Sequence, residues 1–113
     1  MCGTPISAAE AVRVRLGPAS LAEGPFPRPV LAGSLPLLLA FDGRGLVAAE
    51  RACPHEGADL ALGRCGGGRL HCPRHLASFD LATGAVSPGW SFRGLRLYPV
   101  EVAGDGLWVR LPV

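Results

Sequence analysis

Lysine, asparagine and glutamine are missing from this chain of 113 residues, and all 11 of its positive charges are arginine. Against 9 acidic residues these leave a net charge of only +2, with no basic run, so nucleic acid has no electrostatic footprint to bind. Long hydrophobic stretches are missing too. The longest apolar run, Leu37 to Phe41, is far too short to cross a bilayer. The first 20 residues lack a positive start followed by an apolar stretch, so no secretory signal is expected, and a cytoplasmic location away from membranes is. What the chain has instead is glycine and proline, 16 and 11 residues spread along its length, which imply many turns and argue against a helical bundle. Apolar residues at 49% against 18% charged make it a folding composition, and its length is that of one domain spanning residues 1–113.

Alternation favours strands. Val12, Val14 and Leu16 alternate with Arg13 and Arg15, a period of two. Leu35, Leu37, Leu39 and Phe41 repeat that spacing before Asp42-Gly43-Arg44-Gly45 and the apolar Leu46-Val47-Ala48, which predicts a hairpin with a four-residue loop. A second hairpin is predicted where residues 95–102 meet 107–111 across Ala103-Gly104-Asp105-Gly106, with Pro99 marking an edge or a bulge. Segment 17–34, with Pro18, Pro25, Pro27 and Pro29, is expected to be an extended surface connection, and Ile6 to Ala11 is a weak helix candidate. Residues 53–90 differ in composition: they hold Cys53, Cys65, Cys72 and all three histidines, with short apolar pairs in place of long strands. They read as a loop-built subdomain inserted into a β framework.

Four cysteines without a secretory signal point to metal ligands more than to a disulfide framework. Two clusters stand out, Cys53-Pro54-His55 and Cys72-Pro73-Arg74-His75, with residues 56–71 between them. Thiolate and imidazole both bind borderline-soft metals, and a loop with the two side chains two or three positions apart can aim both at one centre. The proline after each cysteine fixes φ and stiffens the loop. One zinc could take the four side chains tetrahedrally. A two-iron cluster could instead take both thiolates on one iron and both imidazoles on the other. The mixed Cys–His pairing on each loop fits the two-iron arrangement better, since zinc fingers usually group Cys with Cys and His with His.

On these residues the chain resembles the Rieske-type ferredoxins, whose two loops read Cys-x-His and then, about sixteen residues later, Cys-x-x-His. The surroundings agree over residues 53–88: Cys53-Pro-His-Glu-Gly57, Leu60, Gly63, Leu70, Cys72-Pro-Arg-His75, Phe79-Asp80, Thr83-Gly84 and Ser87-Pro88. A looser likeness reaches Tyr98-Pro99-Val100. The resemblance implies an all-β fold of antiparallel sheets, a sandwich or barrel base carrying a small cluster-binding subdomain at about 53–90. It implies one [2Fe–2S] cluster per subunit, with Cys53 and Cys72 on the inner iron and His55 and His75 on the outer one. Electrons would enter and leave by the histidine edge, near the surface.

Several positions depart from the family. Leu76 stands where the family carries glycine, a residue that supplies positive φ or close approach, and it adds apolar surface beside His75. High-potential members link the two loops by a disulfide; Ala58 and Arg74 hold those places. The same members donate Ser and Tyr hydroxyls to the cluster, and here Ala77 and Phe79 have none to give. Losing such donors disfavours the extra electron, so the potential is expected near the bottom of the Rieske range, around −150 mV. Bound imidazoles with a free N–H should titrate more readily in the oxidised state, so the potential should fall as pH rises. Among the remaining residues, Cys65 reads as a small apolar filler, His71 as a strand residue, and Cys2 carries no role. Phe79, Trp90, Phe92 and Trp108 read as packing, Arg74 as a loop charge or docking contact, and the other arginines as solvated strand faces.

A Cys–His nucleophile is not expected, because metal-bound thiolates are unavailable and Cys65 has no evident base. Nor is an oxygenase, which needs a second, larger domain. The resemblance implies a monomeric one-electron carrier, not an enzyme by itself, moving electrons from a flavin reductase to a terminal oxygenase. The small Rieske subunit of an assimilatory nitrite reductase is a close variant. A structural Cys₂His₂ zinc module for protein interaction is the alternative from another class.

Overall fold

The computed structural model describes residues 11–74 and 76–112, which form ten strands and two short 3-10 turns. The strands are β1 (Ala11–Pro18), β2 (Arg28–Ala32), β3 (Leu35–Phe41), β4 (Leu46–Glu50), β5 (Arg64–Gly66), β6 (Arg69–His71), β7 (Ser78–Asp80), β8 (Leu97–Tyr98), β9 (Val100–Ala103) and β10 (Gly106–Pro112). They make three antiparallel sheets, ordered β1-β10-β9, β2-β3-β4-β8 and β5-β6-β7. The all-β expectation holds. The helix candidate at Ile6 to Ala11 lies outside the described residues apart from Ala11, where β1 begins.

The β3 strand explains the architecture. Successive side chains of a strand face opposite ways. Leu37 and Leu39 enter an apolar cluster with Val30, Ala32, Ala48, Leu107 and Val109, while Leu38 and Ala40 enter a second one that holds Cys53, Leu60, Leu70, Cys72 and Phe79. The four-stranded sheet is thus covered on both sides, which is why Leu37-Leu38-Leu39-Ala40 is continuously apolar. Leu35 and Phe41, expected to continue the buried face by their spacing, are 43% and 45% exposed. Both sit beside hairpin turns, at registers Ala32↔Leu35 and Phe41↔Leu46, beyond the covered centre of the sheet.

The hairpin at 42–45 forms as expected: Asp42 Oδ1 accepts from the N–H groups of Arg44 and Gly45 at 2.7 and 2.8 Å. Two expectations are corrected. Segment 17–34 is more than a connection, because Arg28–Ala32 is a strand paired with β3 and buries Val30 and Ala32. Its Pro29 is tolerated because β2 is the edge of the sheet, where a missing N–H breaks no ladder. The strand expected over 95–102 divides at Pro99: Leu97–Tyr98 pairs with β4, while Val100–Ala103 pairs with β10. Pro99 has no N–H to extend either ladder, and its carbonyl accepts from Arg110 N–H at 3.0 Å.

The chain from β5 to β7 and the loops around it lie between β4 and β8 in sequence. Gly84 closes this region. Its φ is +83°, and a Cβ there would collide with the Leu95 carbonyl, whose own N–H donates to Gly84 O at 2.7 Å. Gly84→Ala should therefore destabilise the protein by roughly 3 kcal/mol, combining left-handed strain and overpacking. A denaturation midpoint equal to that of the unaltered protein would contradict this contact.

Candidate metal centre

The first loop is closed by its own backbone. Cys53 N–H donates to Ala58 O and Gly57 N–H to Cys53 O, each at 2.8 Å, and Leu60 N–H donates to Arg51 O at 2.8 Å. Gly57, at φ +76°, permits the reversal. Asp59 braces the loop from its far end, accepting from Arg51 Nε and Nη2 at 2.9 Å each and from Ala61 N–H at 3.0 Å. The second loop, residues 72–77, joins paired strands: His71 faces Ser78 across β6 and β7, and Cys72 N–H donates to Ala77 O at 3.1 Å. Arg69 crosses the same hairpin to Ser78 Oγ at 2.7 Å and its carbonyl at 3.2 Å.

These two frames bring the cysteines together. Cys53 and Cys72 are 2% and 5% exposed and share one apolar cluster with Leu38, Leu60 and Phe79. Burial pushes the Cys53 thiol up, and the adjoining Cys72 thiol, within hydrogen-bonding reach, adds to the rise; the N–H groups of His55 and Glu56 pull it back down. A thiolate here is starved of water but faces two backbone donors, a setting in which a cationic metal would replace the missing solvation. His55, two residues on, is exposed. Its ring stacks on Phe92 with centroids 4.8 Å apart and planes 3° apart, and it meets Trp90 at 5.6 Å. Two buried thiols on the inside and an exposed imidazole on the outside fit a two-centre cluster. His75 lies outside the described residues, as does Cys2.

Cys65 on β5 packs against the same cluster as the site cysteines, and burial pushes its thiol up, in keeping with a filler. His71 lies on β6 with Nε2 3.4 Å from Gly66 O. Among the described residues, Cys53, Cys65 and Cys72 form no disulfide. The Leu76 side chain is 95% exposed.

The sequence reading missed the arginines. Arg51, Arg69 and Arg93 are not merely solvated faces: they bind Asp59, Ser78 and Glu50, respectively. Bidentate Arg–carboxylate pairs between loops leave no spacing signal, because the partners lie 8 and 43 residues apart. Trp90 and Phe92 are packing residues as expected, but what they pack against includes His55.

The carboxylates give a pH prediction. Burial alone would raise the Glu50 carboxyl, but bonds from Arg93 and the Arg96 N–H outweigh it and hold the group below its ordinary 4.5. Two Arg51 bonds likewise hold Asp59 below its ordinary 3.8. Each folded pKa lies under the unfolded one, so the stability they contribute is complete above about pH 5 and is lost as pH falls through the folded values. Melting temperature should drop below pH 4.5, and Glu50→Gln should flatten that drop. A Glu50→Gln profile parallel to the unaltered one would refute the assignment.

A family model described as Rieske [2Fe–2S] domain matches residues 14–99. Apoptosis-inducing factor 3 of Homo sapiens is 32% identical over 74 residues, 66% of this chain but only 12% of that protein. The ferredoxin component of the naphthalene 1,2-dioxygenase system of Pseudomonas aeruginosa is 27% identical over 66 residues, 58% of this chain and 64% of that one. Among solved structures, the Sphingomonas yanoikuyae B1 ferredoxin superposes with a TM-score of 0.76 at 24% identity, covering 89% of this chain and 100% of that one. That likeness is one of fold.

Proposed function

Because this chain belongs to the Rieske [2Fe–2S] domain family, we propose that it is a one-electron carrier, accepting electrons from a flavin reductase and delivering them to a terminal oxygenase. The family's cofactor, a two-iron cluster, supplies a site that takes up and gives back a single electron when bound. In this reading Cys53 and Cys72 hold the inner iron, His55 and His75 hold the outer one, and residues 53–90 are the cluster-binding unit.

The observation that carries the reading is the contrast between the site's two sides. The thiols are buried together, and Leu38, Leu60 and Phe79 keep water from them. His55 is exposed, so a partner can approach the outer side closely. The N–H groups of His55 and Glu56 donate toward the Cys53 sulfur and moderate the charge that reduction adds. The likeness to a dioxygenase ferredoxin component supports an oxygenase as the electron acceptor. Among the described residues no helix is long and apolar enough to cross a membrane.

Electron paramagnetic resonance of the dithionite-reduced protein tests this. A rhombic signal with an average g below that of all-cysteine clusters, together with two iron atoms and two sulfides per chain, is the expected result. A silent sample containing stoichiometric zinc would instead make the protein a structural zinc module. Turnover of an oxygenase that requires this chain and a reductase would then establish the direction of transfer.

A further inference from the structure

The segment after Pro88 brings a pair of aromatic rings to His55, the exposed one among the described site residues. Phe92 is stacked on His55, Trp90 leans on the same ring at 59°, and Trp90 meets Phe92 edge-on at 5.8 Å. On the inner side Phe92 reaches the fully buried Phe79, with centroids 6.0 Å apart, and packs against the cluster that holds both site cysteines. The segment is also latched from behind. Arg93 Nη1 and Nη2 donate to the two Glu50 carboxylate oxygens at 2.6 and 2.9 Å, Arg96 N–H donates to Glu50 Oε1 at 2.9 Å, and Leu95 N–H donates to Gly84 O.

We propose that Phe92, held by the Glu50–Arg93 latch, is a positioning residue that sets the ring plane of His55 toward the outer iron. The inference rests on His55 being a ligand. The terminal torsion of histidine is broad and roughly two-fold, so backbone geometry alone leaves the imidazole plane loosely set. An aromatic ring lying nearly parallel to it restricts that rotation, and stacked pairs of this kind are favourable beyond the area they bury. Phe92 thereby couples the orientation of an exposed ring to the rigid core through Phe79 and to β4 through Glu50. A side chain that served only to fill the core would have no reason to lie parallel to an exposed imidazole.

The test is pulsed electron paramagnetic resonance of the reduced holoprotein, reading the couplings of the two histidine nitrogens. Phe92→Leu, which keeps apolar bulk but removes the ring, should shift or broaden one histidine's coupling and leave the other unchanged. Phe92→Tyr should restore the unaltered spectrum. Arg93→Gln, which keeps the ring but releases the latch, should broaden the same coupling, and it carries the test if Phe92→Leu holds no cluster. Unchanged couplings in Phe92→Leu, or in Arg93→Gln where that variant carries the test, overturn the proposal. So do equal shifts of both histidines with a lowered melting temperature, the mark of general packing. If the unaltered protein shows no histidine nitrogen couplings, it is the ligand reading that fails, and the inference goes with it.

Discussion

Alanine in place of Cys53 or Cys72 should yield a protein that keeps its strands and loses essentially all of its iron. Both thiols are buried within one apolar cluster, and neither can be replaced by a water ligand from outside. Removing one leaves an iron with an open position, and Cys65, which packs on the edge of the same apolar cluster, sits on β5 paired with Leu70 of β6 and in neither ligand loop. Metal affinity at such sites depends on the full set of deprotonated ligands, so loss of one should act on the whole cluster. The fold should survive, because the exchange of Cys for Ala removes one sulfur atom. The β1-β10-β9 sheet and its side of β3 are built on a separate cluster, of Val30, Leu37, Leu39, Leu107 and Val109, that contains no cysteine. Cys65→Ala is the control and should retain full iron. Iron and sulfide analysis alongside circular dichroism reads all three variants, and full iron in either Cys53→Ala or Cys72→Ala would remove that thiol from the ligand set.

What the sequence made legible here divides along a physical line. The two hairpins and β1 were readable because alternation and Asp-Gly turns are local signals. The β2 strand was hidden by Pro29, because a proline counts against a strand everywhere except at an edge, and being at an edge is a property of the finished sheet. The division at Pro99 was half visible: the proline marked an irregularity, but only the packing of two sheets shows that the chain changes from one to the other there. The cysteine pair was legible from spacing, and the structure brings Cys53 and Cys72 together. What surrounds them was not. Glu50 and Arg93 are 43 residues apart, and the stacking of Phe92 on His55 joins segments 37 positions apart, so neither pairing leaves a periodic or motif signal.

Ala77→Ser should raise the reduction potential by about 50–100 mV from a starting value near −150 mV, at the low end for Rieske centres. Ala77 is 1% exposed, and its carbonyl accepts from Cys72 N–H, so a hydroxyl there would be introduced into the buried side of the second loop, next to Cys72, the proposed ligand. Buried hydroxyls seek a partner, and sulfur that gains negative charge on reduction is the better acceptor in the reduced state. A hydrogen bond to a charged group contributes about 1.5–3 kcal/mol, of which only the difference between oxidation states counts. At 59 mV per tenfold for one electron, a difference of roughly 1.2–2.3 kcal/mol gives the stated shift. The neighbouring Ser78 does not already fill this role. It precedes Phe79 on β7, so its side chain faces away from the cluster that Phe79 shares with the cysteines, and its Oγ accepts from Arg69 Nε. Ser78→Ala should accordingly leave the potential where it was. Voltammetry of the unaltered protein and the two variants separates these effects. A starting potential above about +100 mV would mean that some donor other than the hydroxyls missing at Ala77 and Phe79 serves the cluster. An unmoved Ala77→Ser would mean that this position does not face the sulfur.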